Sequence, residues 1–314
     1  MKLRQIRASL ILTVTSMIWG AAFLVQKIGM NDVGPFAFHG IRYVMAGAVV
    51  LPVALLRGKK LNNDPEFEPP TKRMKIVGGL VCGFALGFAS LTQQLGILYE
   101  PSAGKAGFIS ALYMILVPLL GLFLRRKVPF TVWIAAVTAT FGLYLLCMDG
   151  SFSLGKGDLW LFACALLYSV HILFIDYFAQ YIDGPFLACF QFFVASTVGF
   201  GAMLMTGETL TWEGFTGGLL PMLYTGVLSA GVGYTLQIVA QKDLHPAIAS
   251  LVMSLESVFA ALLGWLISTV TGKFVEENAL SPREIVGCAV MFAAIVIAQS
   301  DALRELIRSR KEND

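Results

Sequence analysis

The chain has 314 residues, of which 57% are hydrophobic and only 14% are charged, and its formal net charge is +3. Soluble domains carry about 25% charged residues. A soluble fold of this length could not bury so much apolar surface, so we predict a polytopic membrane protein. The five cysteines lie in apolar runs without paired ligand spacing, which favours buried packing over a metal or redox role. We expect no cofactor, no metal ion and no nucleic-acid partner, because the sequence carries none of the corresponding motifs.

Ten apolar segments follow one another along the chain, each about long enough to cross a bilayer as a helix. The first five are Ala8–Ile28, Phe36–Leu56, Ile76–Leu98, Ala103–Leu124 and Phe130–Met148. The second five are Leu159–Ala179, Pro185–Met205, Gly218–Ala240, Pro246–Val270 and Pro282–Ser300. Most links are short, which predicts antiparallel neighbouring helices. The one sizeable link, Arg57–Lys75, is predicted to be a solvated loop.

The basic residues are distributed unevenly between the two sides of the membrane. With an even number of spans, most of them fall on the side that holds both termini. They cluster at Lys2–Arg7, Arg57–Lys75, Arg125–Lys127 and Arg304–Lys311. The positive-inside rule therefore places both termini in the cytoplasm. The first segment has no clear cleavage site and is predicted to be a retained helix of a multi-pass plasma (inner) membrane protein.

Short motifs recur in the same order in the two halves of the chain. The matching positions are Gly34–Phe36 with Gly184–Phe186, Gly83 with Gly226, and Gln94 with Gln237. We therefore predict two homologous halves of five helices each, residues 1–150 and 151–314. Because five is odd, the second half enters the membrane in the opposite orientation. The predicted fold is all-α and integral to the membrane, with ten transmembrane helices as two inverted five-helix repeats, an architecture typical of secondary transporters.

Several further motifs occur in a fixed order along the chain. They are Trp19-Gly20 with Phe23, Gly34-Pro35-Phe36, Arg42-Tyr43, Ser102–Phe108, Val117-Pro118, Ser254-Leu255-Glu256 with Ala260 and Ala261, and Gly264-Trp265. In this order they resemble the EamA-type carriers of the drug/metabolite transporter superfamily, over nearly the whole chain. The resemblance implies transport of small metabolites, amino acids or drugs without ATP, with export favoured over import.

The sequence departs from the pattern of these carriers at two places in the ninth segment. The proline that usually follows the glutamate is replaced by Ser257, so we expect the kink there to be absent or weaker. The Gly-Glu pair that usually closes this helix is replaced within Ser268–Glu277.

Glu256 is the residue on which the functional interpretation depends. It lies near the middle of the ninth segment, where a carboxylate costs roughly 2.5–3.5 kcal/mol on insertion scales. It is either a structural carboxyl group or a site for substrate or a proton, because a carboxyl group removed from water can change its charge near neutral pH. Its counterpart in the fourth segment is Tyr113 at the repeat offset, or Val117 if the usual proline positions are aligned.

Other polar and aromatic residues within the spans complete the predicted substrate site. They are Trp19, His39, Arg42, Gln94, Tyr113, Tyr168, His171, Gln191 and Gln237. Arg42 either snorkels to the membrane interface or forms, with His39, a polar path that attracts carboxylates. His171 is either a packing residue or part of a proton relay. Gln94 and Gln237 either form interhelical hydrogen bonds or close two gates at opposite faces.

We predict a secondary transporter that moves a small organic solute across the bilayer by alternating access, and not an enzyme. Proton coupling and uncoupled facilitation both fit the sequence. The alternative is an integral-membrane lipid-handling protein or enzyme, which should carry clustered catalytic residues at one interface. The ionisable residues within the spans are instead scattered over different helices and depths, which favours a translocation path.

Overall fold

The computed structural model describes residues 2–65, 68–100, 103–148, 155–271 and 281–300, and these residues are almost entirely helical. The helices are α1 (Lys2–Gly29), α2 (Pro35–Asn62), α3 (Lys72–Tyr99), α4 (Ala103–Ser110), α5 (Tyr113–Phe123), α6 (Phe130–Cys147), α7 (Lys156–Phe178), α8 (Gly184–Thr206), α9 (Trp212–Gly217), α10 (Leu219–Leu223), a π-helical segment (Tyr224–Tyr234), α11 (Thr235–Gln241), α12 (Pro246–Met253), α13 (Glu256–Thr271) and α14 (Pro282–Ala298). Within the described ranges, nine helical stretches are long and apolar enough to span a membrane. The helix α14 adds a tenth apolar helix, of 17 residues. The predicted basic tail Arg304–Lys311 and the replaced end of the ninth span at 272–277 lie outside these ranges.

Helix packing is symmetric between the two halves of the chain. The helix α2 packs along α8, its counterpart in the second half, and α6 packs along α14 in the same way. Contacts of α3 with α7 and α8 are matched by contacts of the π segment with α1 and α2. The two repeats are therefore interleaved, and the centre of the bundle is built from helices of both.

Two spans that the sequence predicts as continuous helices are interrupted at equivalent positions. In the fourth span α4 ends at Ser110 and α5 begins at Tyr113, whereas in the ninth α12 ends at Met253 and α13 begins at Glu256. Tyr113 and Glu256 are 143 residues apart in sequence, the offset that also relates Gly83 to Gly226. Both segments are long and apolar enough to cross a membrane, as predicted, and the short breaks within them follow the repeat.

The break in the ninth span forms without a proline. The amide of Leu255 donates to the carbonyl oxygen of Val252 at 3.2 Å, a tighter turn than that of an α-helix. The hydroxyl of Ser16 in α1 lies 3.0 Å from the carbonyl oxygen of Val252 and 3.3 Å from that of Met253. A neighbouring helix thus supplies a donor to carbonyl groups that the break releases. The turn at Ser254 and Leu255 therefore interrupts the span just before Glu256, although Ser257 stands where the proline is usual.

The eighth span, predicted as Gly218–Ala240, is also irregular and contains the π segment. Two glycines bring this segment close to its neighbours. A Cβ atom at Gly226 would lie 2.8 Å from the carbonyl oxygen of Arg42 in α2, and one at Gly233 would lie 2.5 Å from the indole nitrogen of Trp19 in α1. Any larger residue would push the eighth span away from the helices that it contacts.

The N-termini of α2 and α8 are each held by the end of the other helix. The carboxylate of Glu208, just after α8, accepts the amides of Phe36 and Ala37 at 3.3 and 2.6 Å. At the opposite face Arg57 pairs with Asp183, the residue before α8, at 2.5 Å. Because α2 continues to Asn62 and α3 begins at Lys72, the loop predicted at Arg57–Lys75 is shorter than expected.

Glycines at one-turn spacing in α3 face α8, and Gly83→Ala should destabilise this interface. A Cβ atom there would lie 2.5 Å from the Cβ atom of Val194, and overpacking of this kind costs about 1–3 kcal/mol. Gly201→Ala in α8 is the matched control, since its Cβ would meet no atom within 4 Å. Thermal unfolding in detergent measures both variants. A wild-type midpoint for Gly83→Ala would contradict the close contact.

Candidate functional site

A compact cavity of about 40 Å³ lies at the centre of the bundle, between helices of both halves. Its walls come from nine helical elements, and most of the lining side chains are polar or aromatic. The lining residues are Trp19, Ala22, Phe23, Gln26, Arg42, Gln93, Tyr113, Tyr168, Ile172, Ser229, Ala230, Tyr234, Gln237, Met253 and Glu256. This volume holds no more than a few water molecules, so a solute can bind only when the cavity expands.

Glu256 and Tyr113 face each other across this cavity. The hydroxyl of Tyr113 donates to Oε1 of Glu256 at 3.0 Å, and both residues are buried. Each is the first residue of the helix that follows a break, so the structure favours Tyr113 over Val117 as the counterpart of Glu256. Among the described residues Glu256 has no basic partner. Its stabilisation comes from one hydroxyl group and from its position in the first turn of α13.

Arg42 supplies a buried positive charge to the cavity wall. It is only 4% exposed, so it does not snorkel to the membrane surface as one interpretation of the sequence suggested. Its Nη1 donates to Oε1 of Gln26 in α1 at 2.6 Å, while its Nε has no partner. Within the described residues no carboxylate pairs with it. A guanidinium group with free donors beside a cavity is suited to bind a planar anionic group.

Aromatic side chains close the cavity between the first and eighth spans. The hydroxyls of Tyr168 and Tyr234 lie 2.8 Å apart, and that of Tyr168 also donates to Oε1 of Gln93 at 3.3 Å. Trp19 donates its indole N–H to the carbonyl oxygen of Ser229 in the π segment at 2.9 Å. The rings of Trp19 and Tyr234 are 4.8 Å apart. These bonds fix the aromatic walls in place.

Two predicted site residues on α2 and α3 lie away from the cavity. Nε2 of His39 is 2.7 Å from the hydroxyl of Ser90, so the ring faces α3 and does not join Arg42. The amide of Gln94 donates to a backbone carbonyl at the start of α2. Gln237 does line the cavity, and its amide donates to Gln241 at 2.8 Å. The two glutamines therefore differ in environment although they share a repeat position.

His171 and Gln191 were also predicted as site residues, but they do not contribute to the cavity wall. Nε2 of His171 in α7 lies 3.1 Å from Oε1 of Gln191 in α8, and both side chains are fully buried. The ring of His171 contacts the ring of Tyr234 edge-on, at a centroid distance of 6.2 Å. The pair thus stands behind an aromatic wall of the cavity.

Comparison with known proteins gives the same architecture. The profile of the EamA-like transporter family matches residues 6–148 and again residues 155–300. The chain belongs to the EamA-like transporter family. An uncharacterized transporter of Archaeoglobus fulgidus is 26% identical over 299 residues, which cover 94% of this chain and 86% of the relative.

Two further similarities agree with this assignment. The uncharacterized inner membrane transporter YedA of Escherichia coli K12 is 24% identical over 288 residues, covering 90% of this chain and 87% of YedA. One solved crystal structure is 20% identical in sequence and superposes with a TM-score of 0.72. The match covers 95% of this chain and 98% of the chain in that structure. This protein is therefore a multi-pass membrane transporter with the EamA fold.

The sequence did not single out three polar contributors to the cavity of this EamA-like transporter. Gln26 lies beside Lys27 near the end of the first span, and Gln93 directly precedes Gln94, which was chosen for its repeat spacing. Adjacent helical residues point in different directions, so spacing in sequence could not decide between the two glutamines. Ser229 takes part through its backbone carbonyl, for which side-chain chemistry gives no signal.

Tyr113→Phe and Glu256→Leu are expected to act on one shared hydrogen bond. Their effects on the free energy of unfolding should therefore be non-additive, with a coupling of about 0.5–1.5 kcal/mol. Unfolding in detergent of the two single variants and the double variant measures this coupling. Tyr181→Phe, at a tyrosine that is 53% exposed, should combine additively with Glu256→Leu. Additivity in the first pair would contradict the contact.

Proposed function

We propose that this EamA-like transporter is a secondary carrier for a small organic solute that bears an acidic group. The central cavity is its binding site, and Arg42 binds the acidic group. The observation that supports this is the buried guanidinium of Arg42, which has among the described residues only the amide of Gln26 as a side-chain hydrogen-bond partner. A bidentate carboxylate would accept two of its remaining N–H donors.

The proposal also includes the apolar part of the solute. Trp19, Tyr168 and Tyr234 offer flat aromatic surfaces with fixed orientations, on which an organic group can stack. Sites for small organic ligands usually enclose about 300–1,000 Å³, whereas this cavity has about 40 Å³. Binding therefore requires helices that line the cavity to move apart on one side of the membrane. An amphipathic solute such as an amino acid fits these requirements.

Proton coupling through Glu256 is the second part of the proposal. Its carboxyl group is buried, has Tyr113 as its side-chain partner and lines the same cavity as Arg42. A buried carboxyl group without a basic partner is stable when it is protonated and needs water or a cation when it is ionised. Exposure of the cavity to the two sides in turn would then couple proton exchange to solute movement.

We also propose the direction of transport and the membrane in which the protein lies. The concentration of basic residues at the face of both termini supports a cytoplasmic location for that face. The relative YedA is named an inner membrane transporter, which supports the same location here. Export of the solute from the cytoplasm follows from the resemblance to EamA-type carriers.

Replacement of Arg42 tests the binding site. Proteoliposomes are assayed for uptake of amino acids, other carboxylates and neutral amines. Arg42→Gln and Arg42→Lys should each lower transport of the carboxylate substrate roughly tenfold or more, because a hydrogen bond to a charged group is worth about 1.5–3 kcal/mol. Arg73→Gln, at an exposed arginine outside the cavity, is the matched control. Transport of only non-acidic solutes, unaffected in Arg42→Gln, would contradict the proposal.

Replacement of Glu256 tests the coupling separately. In Glu256→Gln the solute should still equilibrate across the membrane, but an imposed pH gradient should no longer drive its accumulation. Glu213→Gln, at an exposed acid in α9, should behave as the wild-type protein does. If Glu256→Gln accumulates solute in response to a pH gradient as the wild type does, Glu256 carries no proton.

A further inference from the structure

A second and larger cavity, of about 300 Å³, lies near the central one. It is bounded mainly by α1, α4 and α13, and its wall includes Lys27, Glu100 and Glu284 at the predicted outer face. Phe23 is the one described residue that lines both cavities. Phe23 therefore lies where the central cavity and the second cavity are nearest to each other along α1.

The two sides of the bundle differ although the repeats are symmetric. The half-helices α5 and α12, toward the predicted cytoplasmic side, pack directly against each other. Their counterparts toward the outer side, α13 and α4, touch at only a few positions, and the second cavity lies between them. The two half-helices on the inner side are thus packed together, whereas the two on the outer side leave a space between them.

The surroundings of Phe23 allow its ring to move without breaking polar contacts. It packs in an apolar cluster with residues of α3, α4 and α7, among them Ile97, Ala106 and Leu161. The same three helices are joined at their outer ends by charged groups. Lys105 of α4 lies 2.6 Å from Asp158 of α7, and 3.2 Å from Glu100, which follows α3. These ion pairs hold the helix ends together around a side chain that forms no hydrogen bond.

We propose that Phe23 is the outer gate of this transporter, and that rotation of its ring joins the central cavity to the second cavity. The second cavity is then the path between the binding site and the outer face, and its mainly apolar wall accepts the apolar part of the solute. This inference rests on the proposed role of the central cavity. The inference adds the residue that controls access to the central cavity from the outer side. It also implies that the size of this side chain determines how readily the solute passes.

Reaction of single cysteines with a membrane-impermeant methanethiosulfonate reagent tests the gate without any solute. In a chain whose five native cysteines are replaced by alanine, a cysteine at Ala22 reports on the central cavity and one at Ala260 on the second cavity. With the reagent on the outer side, Phe23→Ala should raise the modification rate of Ala22→Cys at least tenfold. The rate of Ala260→Cys should not change, because it lies on the outer side of the gate.

Three controls accompany this experiment. Leu24→Ala is the matched control, because Leu24 lines the second cavity alone, and it should leave the rate of Ala22→Cys unchanged. Glu213→Cys, in the exposed part of α9, should react only from the outer side and so verifies the sidedness. Phe23→Trp tests the opposite change, and its larger ring should slow the modification of Ala22→Cys several-fold.

An unchanged rate of Ala22→Cys in both Phe23→Ala and Phe23→Trp would overturn the gate, as would access to Ala22→Cys through the inner side only. Because no solute is used, these results are independent of the proposed substrate. If the Phe23 variants change the labelling rate as expected but Arg42→Gln does not change transport, the proposed function is overturned and the gate is supported. If Arg42→Gln abolishes transport but the Phe23 variants do not change the labelling rate, the gate is overturned and the proposed function is supported.

Discussion

A polar group inside a bilayer must find its hydrogen-bond partner within the protein, and the centre of this transporter follows from that constraint. Glu256 is bonded to Tyr113 and Arg42 to Gln26. Ser16 reaches the carbonyl groups at the break in the ninth span. The bonds of Glu256 and of Ser16 join helices of different halves, whereas the bond of Arg42 joins the consecutive helices α1 and α2. Groups that are costly to bury therefore also help to hold the interleaved repeats together.

Much of the fold could be predicted from the sequence, because hydropathy reports directly on the membrane. The order of the spans was correct for this reason. The repeat was predicted from motifs that recur at a fixed offset, and it agrees with the two matches to the family profile. The breaks after Ser110 and Met253 were not predicted, since the residues there are compatible with a continuous helix and no proline marks the place. They depend on tertiary donors such as Ser16, which a pattern along one segment does not show.

The candidate site could be predicted only in part, for a related reason. Charged residues are rare within membrane spans, so the sequence identified Arg42 and Glu256 wherever the span boundaries are drawn. Tyr113 was identified as the repeat counterpart of Glu256. His39 and Gln94 were placed in the site by spacing, but their side chains are bonded between α2 and α3. The spacing of residues in a helix shows only roughly which side of the helix a residue is on. Whether the residue lines a cavity depends on which neighbouring helix faces that side.

The pairing of Tyr113 with Glu256 has a consequence for the equilibrium between the forms of the carrier. In the proposed alternating-access cycle, two identical inverted halves would make the inward-open and outward-open forms equivalent by a two-fold rotation about an axis in the membrane plane, with equal free energies. One carboxyl group opposite one phenol removes this degeneracy. A difference of about 1.4 kcal/mol already shifts such a ratio tenfold, so a single side chain is enough to give a symmetric scaffold a preferred resting orientation.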